Sequence, residues 1–242
     1  MGNKVLIIIL LIFSLIIIVL TISMGDSLTG AAVGLGNSKQ ILTATSGTVS
    51  ETIGITEAVT CGTVSSNLLF TADVNAVGDC FNITADNLII DGAGYSITGD
   101  TTGYGFDNTG GYSNVTIINF SGINNFSTGI GVDASSADIN ISHNTFYNDD
   151  TGINFFGSGE RNFINNNTIN SSSGAINANT LQEIVILDNN ITIRNGGTGI
   201  ELVNTNYSNI SDNIFGMSGG SDIGIKIENS GYQNLIWNNT FT

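Results

Sequence analysis

From Thr128 onward, apolar and polar residues alternate in short runs such as TGIGV, TGINF and ISHNTF, and the runs return at a near-constant interval. Alternation by two puts successive side chains on opposite faces of a strand, whereas a helix carries its apolar residues three and four apart. One run reads Ile, two residues, Asn, one residue, then Ile or Phe, and occurs as ISHNTF, INNNTI, ILDNNI, ISDNIF and IWNNTF. Its asparagines, Asn144, Asn167, Asn189, Asn213 and Asn239, step by 23, 22, 24 and 26 residues. A second run, TGIGV, TGINF, SGAIN, TGIEL and IGIKI, interleaves with it through Gly129, Gly152, Gly174, Gly199 and Gly224. Each glycine precedes the next of these asparagines by 15, 15, 15, 14 and 15 residues; each asparagine precedes the next glycine by 8, 7, 10 and 11. One side of the unit is held nearly constant and the other absorbs insertions. That is the behaviour of a strand-and-turn coil with one variable loop.

A coil of this length cannot enclose a core alone, so the coils must stack, and the sequence predicts an all-β fold, a parallel β-helix. Ile141, Phe146, Ile153 and Phe155 are expected to point inward, their neighbours outward. Stacking brings equivalent residues to about 4.8 Å, close enough for the five asparagines to form a ladder of bonded side-chain amides. The SGAIN copy departs from the pattern: Ala175 and Asn177 stand where its neighbours carry large apolar residues, which predicts a bulge or a thin place in the core. Glu201 and Lys226 fall in the same outward slot of adjacent coils and are expected to pair across the sheet. The chain has no proline, in keeping with long hydrogen-bonded ladders that cannot spare a donor.

The first residues read differently. Lys4 precedes an apolar run from Val5 to Ile22, long enough for a bilayer-spanning helix, and Ser23-Met24-Gly25 offers small residues for cleavage. Residues 1–25 are therefore expected to be an N-terminal hydrophobic helix, either a secretory signal peptide or an uncleaved membrane anchor. Residues 26–56, rich in Gly, Ser and Thr, are expected to be a flexible spacer. Residues 57–85 are expected to cap the stack, with one disulfide between Cys61 and Cys80 as an exported protein allows. Residues 86–242 then form the β-helix, which stops at IWNNTFT in mid-coil, so a truncated chain is expected. The formal charge of −15, from 20 acidic residues against five basic ones, argues against nucleic acid as a partner.

The segment CGTVSSNLLFTADVNAVGDCFNITADNLIIDGAGYSITGD, with its Cys-bounded stretch leading into DNLIIDGAGYSI, resembles the opening of right-handed parallel β-helix proteins. These are the NosD-like and pectate-lyase-like superfamily, especially exported archaeal members, and the resemblance runs from Cys61 to the C-terminus. It implies a right-handed parallel β-helix with about 22–26 residues per coil. It says less about activity, since that superfamily holds lyases, hydrolases, epimerases and non-catalytic surface proteins. The NosD side of the resemblance raises copper delivery, for which one His and three Met make a poor donor set.

Candidate chemistry concentrates in three places. His143, Asp188 and Asp212 share the slot just before the ladder asparagine; every occupant is polar, which predicts a solvent-facing position, and two stacked carboxylates there could share a proton or serve as a catalytic pair. Asp149 and Asp150 fall in the variable loop and are expected either in a solvated turn or at a Ca²⁺ site, since Ca²⁺ takes carboxylate and carbonyl oxygens. The polygalacturonase pattern needs a Gly-His-Gly and an Arg-x-Lys beside such a pair, and neither is present. GIGVDA matches a dinucleotide fingerprint only in letters, because no βαβ unit surrounds it. Eleven Asn-x-Ser/Thr triplets are present, of which Asn114, Asn125 and Asn206 are glycosylation candidates. The function expected is a secreted or cell-surface β-solenoid, a non-catalytic carbohydrate-binding or structural protein, with glycans or other cell-envelope proteins as partners and the membrane too if the first helix is retained. The alternative is a polysaccharide lyase or glycoside hydrolase, or a fragment of one.

Overall fold

The computed structural model describes residues 59–242 apart from Ala134, Ser230 and Gly231, and, before them, only the backbone of four strands. Those four pair antiparallel, Lys4–Leu10 with Ile17–Ser23 and Gln40–Ser46 with Val49–Ile55, within a separate unit of residues 1–57. The first pair falls where a helix was expected. A run of Ile, Leu and Val satisfies strand and helix patterns alike, and length alone favoured the helix. The side chains of this unit, and with them the questions of cleavage, anchoring and spacing, lie outside the described residues.

The second unit is a parallel β-solenoid of three eight-stranded sheets, wound so that each rung crosses all three in turn. Sheet A runs from Gly62–Val64 to Ile223–Glu228, sheet B from Leu68–Leu69 to Leu235–Trp237, and sheet C from Val74–Asn75 to Thr240–Phe241. A representative rung passes through Thr151–Phe155 in A, Phe163–Asn165 in B and Thr168–Ser171 in C. Register is continuous from end to end. In sheet B one column reads Leu68, Ile90, Ile117, Ile141, Ile164, Ile186, Ile210, Ile236. The inward column of sheet C holds Val74, Ile97, Ile123, Phe146, Ile169, Ile191, Phe215 and Phe241.

These columns are the core. Ile141, Phe146, Ile153 and Phe155 are buried as the alternation predicts, each contributing about 1.5–3 kcal/mol by leaving water. Toward the N-terminal end the core becomes aromatic: Phe70 lies edge-on to Phe81 and Phe120, with centroids 5.3 and 4.7 Å apart. Residues 57–85, expected as a cap, contribute the first rung itself, since Gly62–Val64, Leu68–Leu69 and Val74–Asn75 pair in the same three sheets. Cys61 and Cys80 are joined, with Cα atoms 4.4 Å apart, the separation expected of neighbours on adjacent rungs.

The irregular third copy is a matter of register, not a bulge. Gly174 pairs with Thr151 and Thr198, so Ala175 occupies the glycine slot, Ile176 the core and Asn177 the outer face. Aligning the copies on Gly174 displaced every side chain by one and so moved it to the opposite face. The thin place does exist: Ala178 stands between Phe155 and Leu202 in the core. The slot demands a small residue because the chain turns tightly there from sheet C into sheet A. A Cβ on Gly199 would come within 2.5 Å of the Gly224 carbonyl oxygen and 2.8 Å of the Phe215 ring.

Candidate functional site

At the corner between sheets B and C the five asparagines stand in one column, buried except at the last rung. Each amide oxygen accepts the main-chain N–H of the asparagine one rung earlier: Asn144 to Asn167, Asn167 to Asn189, Asn189 to Asn213 and Asn213 to Asn239, all at 3.0 Å. Side-chain amides also bond along the column, Asn167 Nδ2 to Asn189 Oδ1 at 3.0 Å for example. The remaining donors go to main-chain carbonyls, as Asn144 Nδ2 does to Ile117 at 2.9 Å. The column is continued by Phe120, whose N–H donates to Asn144 Oδ1. The corner turns sharply, and the asparagines replace hydrogen bonds that a regular ladder cannot make there.

The slot just before the ladder is a left-handed one. Asn119, His143, Asn166, Asp188, Asp212 and Asn238 all have φ between 52° and 60°. Asn, Asp and His tolerate this region better than other non-glycine residues, so backbone geometry accounts for the polar occupants. His143 and Asp188 are exposed and Asp212 half-buried. Asp212 accepts a hydrogen bond from the Asn238 amide. The three candidates thus share one column of corners, Asp188 and Asp212 on adjacent rungs and His143 two rungs from Asp188.

The corner between sheets C and A separates Asp149 from Asp150. Asp149 is fully buried, not in a solvated turn; its Oδ1 accepts the Phe126 N–H at 2.7 Å, and its Oδ2 has no partner. Burial pushes its carboxyl up to about 8, against the opposing pull of the Phe126 N–H. Asp150 is exposed and accepts from Ser172 Oγ at 3.1 Å. One carboxylate faces the core and the other the solvent, so the pair offers no shared set of oxygens. Among the described residues no group of three or more His, Cys, Asp or Glu side chains could hold a metal ion.

The glycosylation candidates differ in how their amides are engaged. Asn114 is exposed and donates to Asn87 Oδ1, Asn125 is half-buried and accepts from Asn148 Nδ2, and half-buried Asn206 accepts from the Tyr232 N–H. Glu201 and Lys226 pair as expected, Nζ to Oε1 at 2.8 Å, and Lys226 also reaches Glu228 at 2.9 Å.

The outer face of sheet C carries an arrangement that motif reading overlooked. One outward column runs Thr98, Asn124, Tyr147, Asn170, Thr192, Gly216; beside it run Thr145, Thr168 and Asn190. Tyr147 is 52% exposed, and the Arg194 guanidinium lies over its ring, 5.4 Å from the centroid. Arg194 Nη2 donates to the Asn170 carbonyl oxygen at 3.4 Å, while Arg194 Nε and Asn170 Oδ1 are both buried without partners. Writing the coils beneath one another puts Tyr147 and Asn170 in one slot and Arg194 two residues past its end. That signal was available, but no motif contains it.

Residues 74–242 match the family described as periplasmic copper-binding protein (NosD). Neither the curated proteins nor the solved structures contain a match.

Proposed function

The chain belongs to the NosD family of periplasmic proteins, and from that premise we propose that it is an exported cell-envelope β-solenoid that binds carbohydrate without transforming it. The outward face of sheet C carries the reading. It is a flat lattice of Thr and Asn side chains repeating at strand spacing, with an exposed aromatic ring at its centre. Hydroxyl and amide groups at fixed intervals suit the hydroxyls of a polysaccharide, and Tyr147 supplies apolar area with a polar tip. The acids at the B–C corner stand in a slot whose polar occupants follow from its left-handed backbone conformation.

The family description names copper, and the described residues do not fit it. The single histidine is at an exposed corner, both cysteines are spent in the disulfide, and Met217 is the one methionine among the described residues. Copper sites in such proteins draw on imidazole, thiolate and thioether clusters. The proposal therefore involves no copper.

A glycan array with the purified protein, run beside a depolymerisation assay on whichever polymers bind, tests the reading. Binding is expected without release of reducing or unsaturated ends, and Tyr147→Ala should weaken it about tenfold. Release of such ends would sink the non-catalytic reading. Absence of any glycan binding would leave only an architectural role.

A further inference from the structure

Arg194 is the one cation among the described residues with no carboxylate beside it. Arg161 is held by Asp138 at 2.9 Å and Glu160 at 2.6 Å, and Lys226 by Glu201 and Glu228. In a chain of formal charge −15 an uncommitted guanidinium is unusual. Asp150 and Asp222 belong to loops on the same side of the coil, yet neither pairs with it. Asp150 is spent on Ser172 Oγ, and Asp222 accepts from the Gly196 and Gly219 N–H groups at 2.8 and 2.6 Å. The side chain instead extends back along sheet C, over Asn170 to Tyr147, two rungs away.

We propose that Tyr147, Asn170 and Arg194 form a subsite for the anionic group of an acidic saccharide, a carboxylate or a sulfate. The inference rests on the carbohydrate reading of sheet C and names the class of sugar. A guanidinium has five donors in a planar fork. Here one is used on the Asn170 carbonyl, and the stacked ring holds the plane in place. The free edge matches two oxygens of a carboxylate or sulfate, and a charge-assisted pair of this kind is about twice as strong as a neutral hydrogen bond. The exposed remainder of the Tyr147 ring gives the sugar an apolar seat. The surrounding negative field discourages polyanions elsewhere on the surface, so selectivity depends on this one cation.

The test compares binding of the purified full chain to alginate (carboxylate), dextran sulfate (sulfate), neutral dextran and poly-glutamate, each at low and high salt. One or both acidic polysaccharides should bind at least about tenfold more tightly than dextran or poly-glutamate, with affinity falling as salt rises. Arg194→Gln should erase that preference, Arg194→Lys should restore part of it, and thermal melting should show each variant folded. Equal binding of dextran and the acidic polymers, or a preference unchanged in Arg194→Gln, overturns the subsite and leaves the carbohydrate reading standing. Equal binding of poly-glutamate reduces it to charge alone and overturns it as well. Failure of every polysaccharide to bind overturns both.

Discussion

Asn189 carries more hydrogen bonds than any apolar residue could replace. Its oxygen accepts both the main-chain and side-chain N–H groups of Asn167 at 3.0 Å, and its Nδ2 donates to the Ile164 and Leu187 carbonyls. Asn189→Ala strands a buried N–H and should cost about 2–4 kcal/mol, read as a lower urea midpoint. Asn189→Asp keeps the acceptor but loses both donors and buries a charge. It should fall below Ala at neutral pH and recover in acid; a midpoint above that of Ala at neutral pH would contradict the ladder as described. Asp149 acts through linkage. Its folded carboxyl sits near 8, above the ordinary 3.8, because burial disfavours the charge. The folded state therefore holds a proton that the unfolded state releases, and stability must fall as pH rises across that window, by up to about 1.4 kcal/mol per unit. Asp149→Asn retains the acceptor for Phe126 N–H and has no proton to lose. The stability difference between the variant and the parent should grow in the variant's favour from pH 5 to pH 8. A constant difference would mean the carboxyl titrates normally.

At the scale of the element, each corner imposes a rule on the residue that occupies it. His143 has φ of 58°, where a β-branched residue is strained by about 1–2 kcal/mol. His143→Val should accordingly destabilise, His143→Gly should match or exceed the parent, and glycan binding should be the same in both. Loss of binding in a stable His143→Gly variant would restore a functional role to the imidazole. The period and the ladder were legible in the chain because spacing survives any misreading of faces. What was not legible followed from ambiguity between causes. A left-handed corner and a solvent-facing slot select the same Asn, Asp and His; the slot is both, and only its exposure was legible. Gly174 in a Thr slot, next to Ala175 in a Gly slot, shifted one copy by a residue. Asp149 looked like a turn acid because nothing in a sequence distinguishes a buried carboxylic acid from a solvated carboxylate. Tyr147 and Arg194 escaped notice because they meet across two rungs rather than within a motif.

At the scale of the molecule, stability is a sum of rungs and the interfaces between them. The Cys61–Cys80 bond closes a loop of 19 residues at the first of these interfaces and is worth about 3 kcal/mol in the chain-entropy account. Reduction, or a double Cys→Ser variant, should open the first rung while the later ones stay intact. Amide hydrogen exchange should quicken at Gly62–Val64 and Phe81–Ile83 and stay slow at Ile186 and Ile210. Uniform loss of protection would mean that the solenoid unfolds as one unit. The same nearest-neighbour logic confines the effect of Asn189→Ala to the rungs it bridges.

The left-handed corners also write a signature into the gene that has nothing to do with sugar. Asn114, Asn119, Asn125, Asn166 and Asn238 each occupy such a corner, with φ of 52–60°. After each comes one inward residue and then an outward Ser or Thr opening or flanking the next strand. Asn for the turn, any inward residue, Ser or Thr for the pleat: the architecture spells the acceptor triplet of N-glycosylation at these five bends. In a lineage that adds glycans to this triplet, a coil duplicated from one that carries it arrives with a ready attachment point, and selection then has a site to prune rather than to invent.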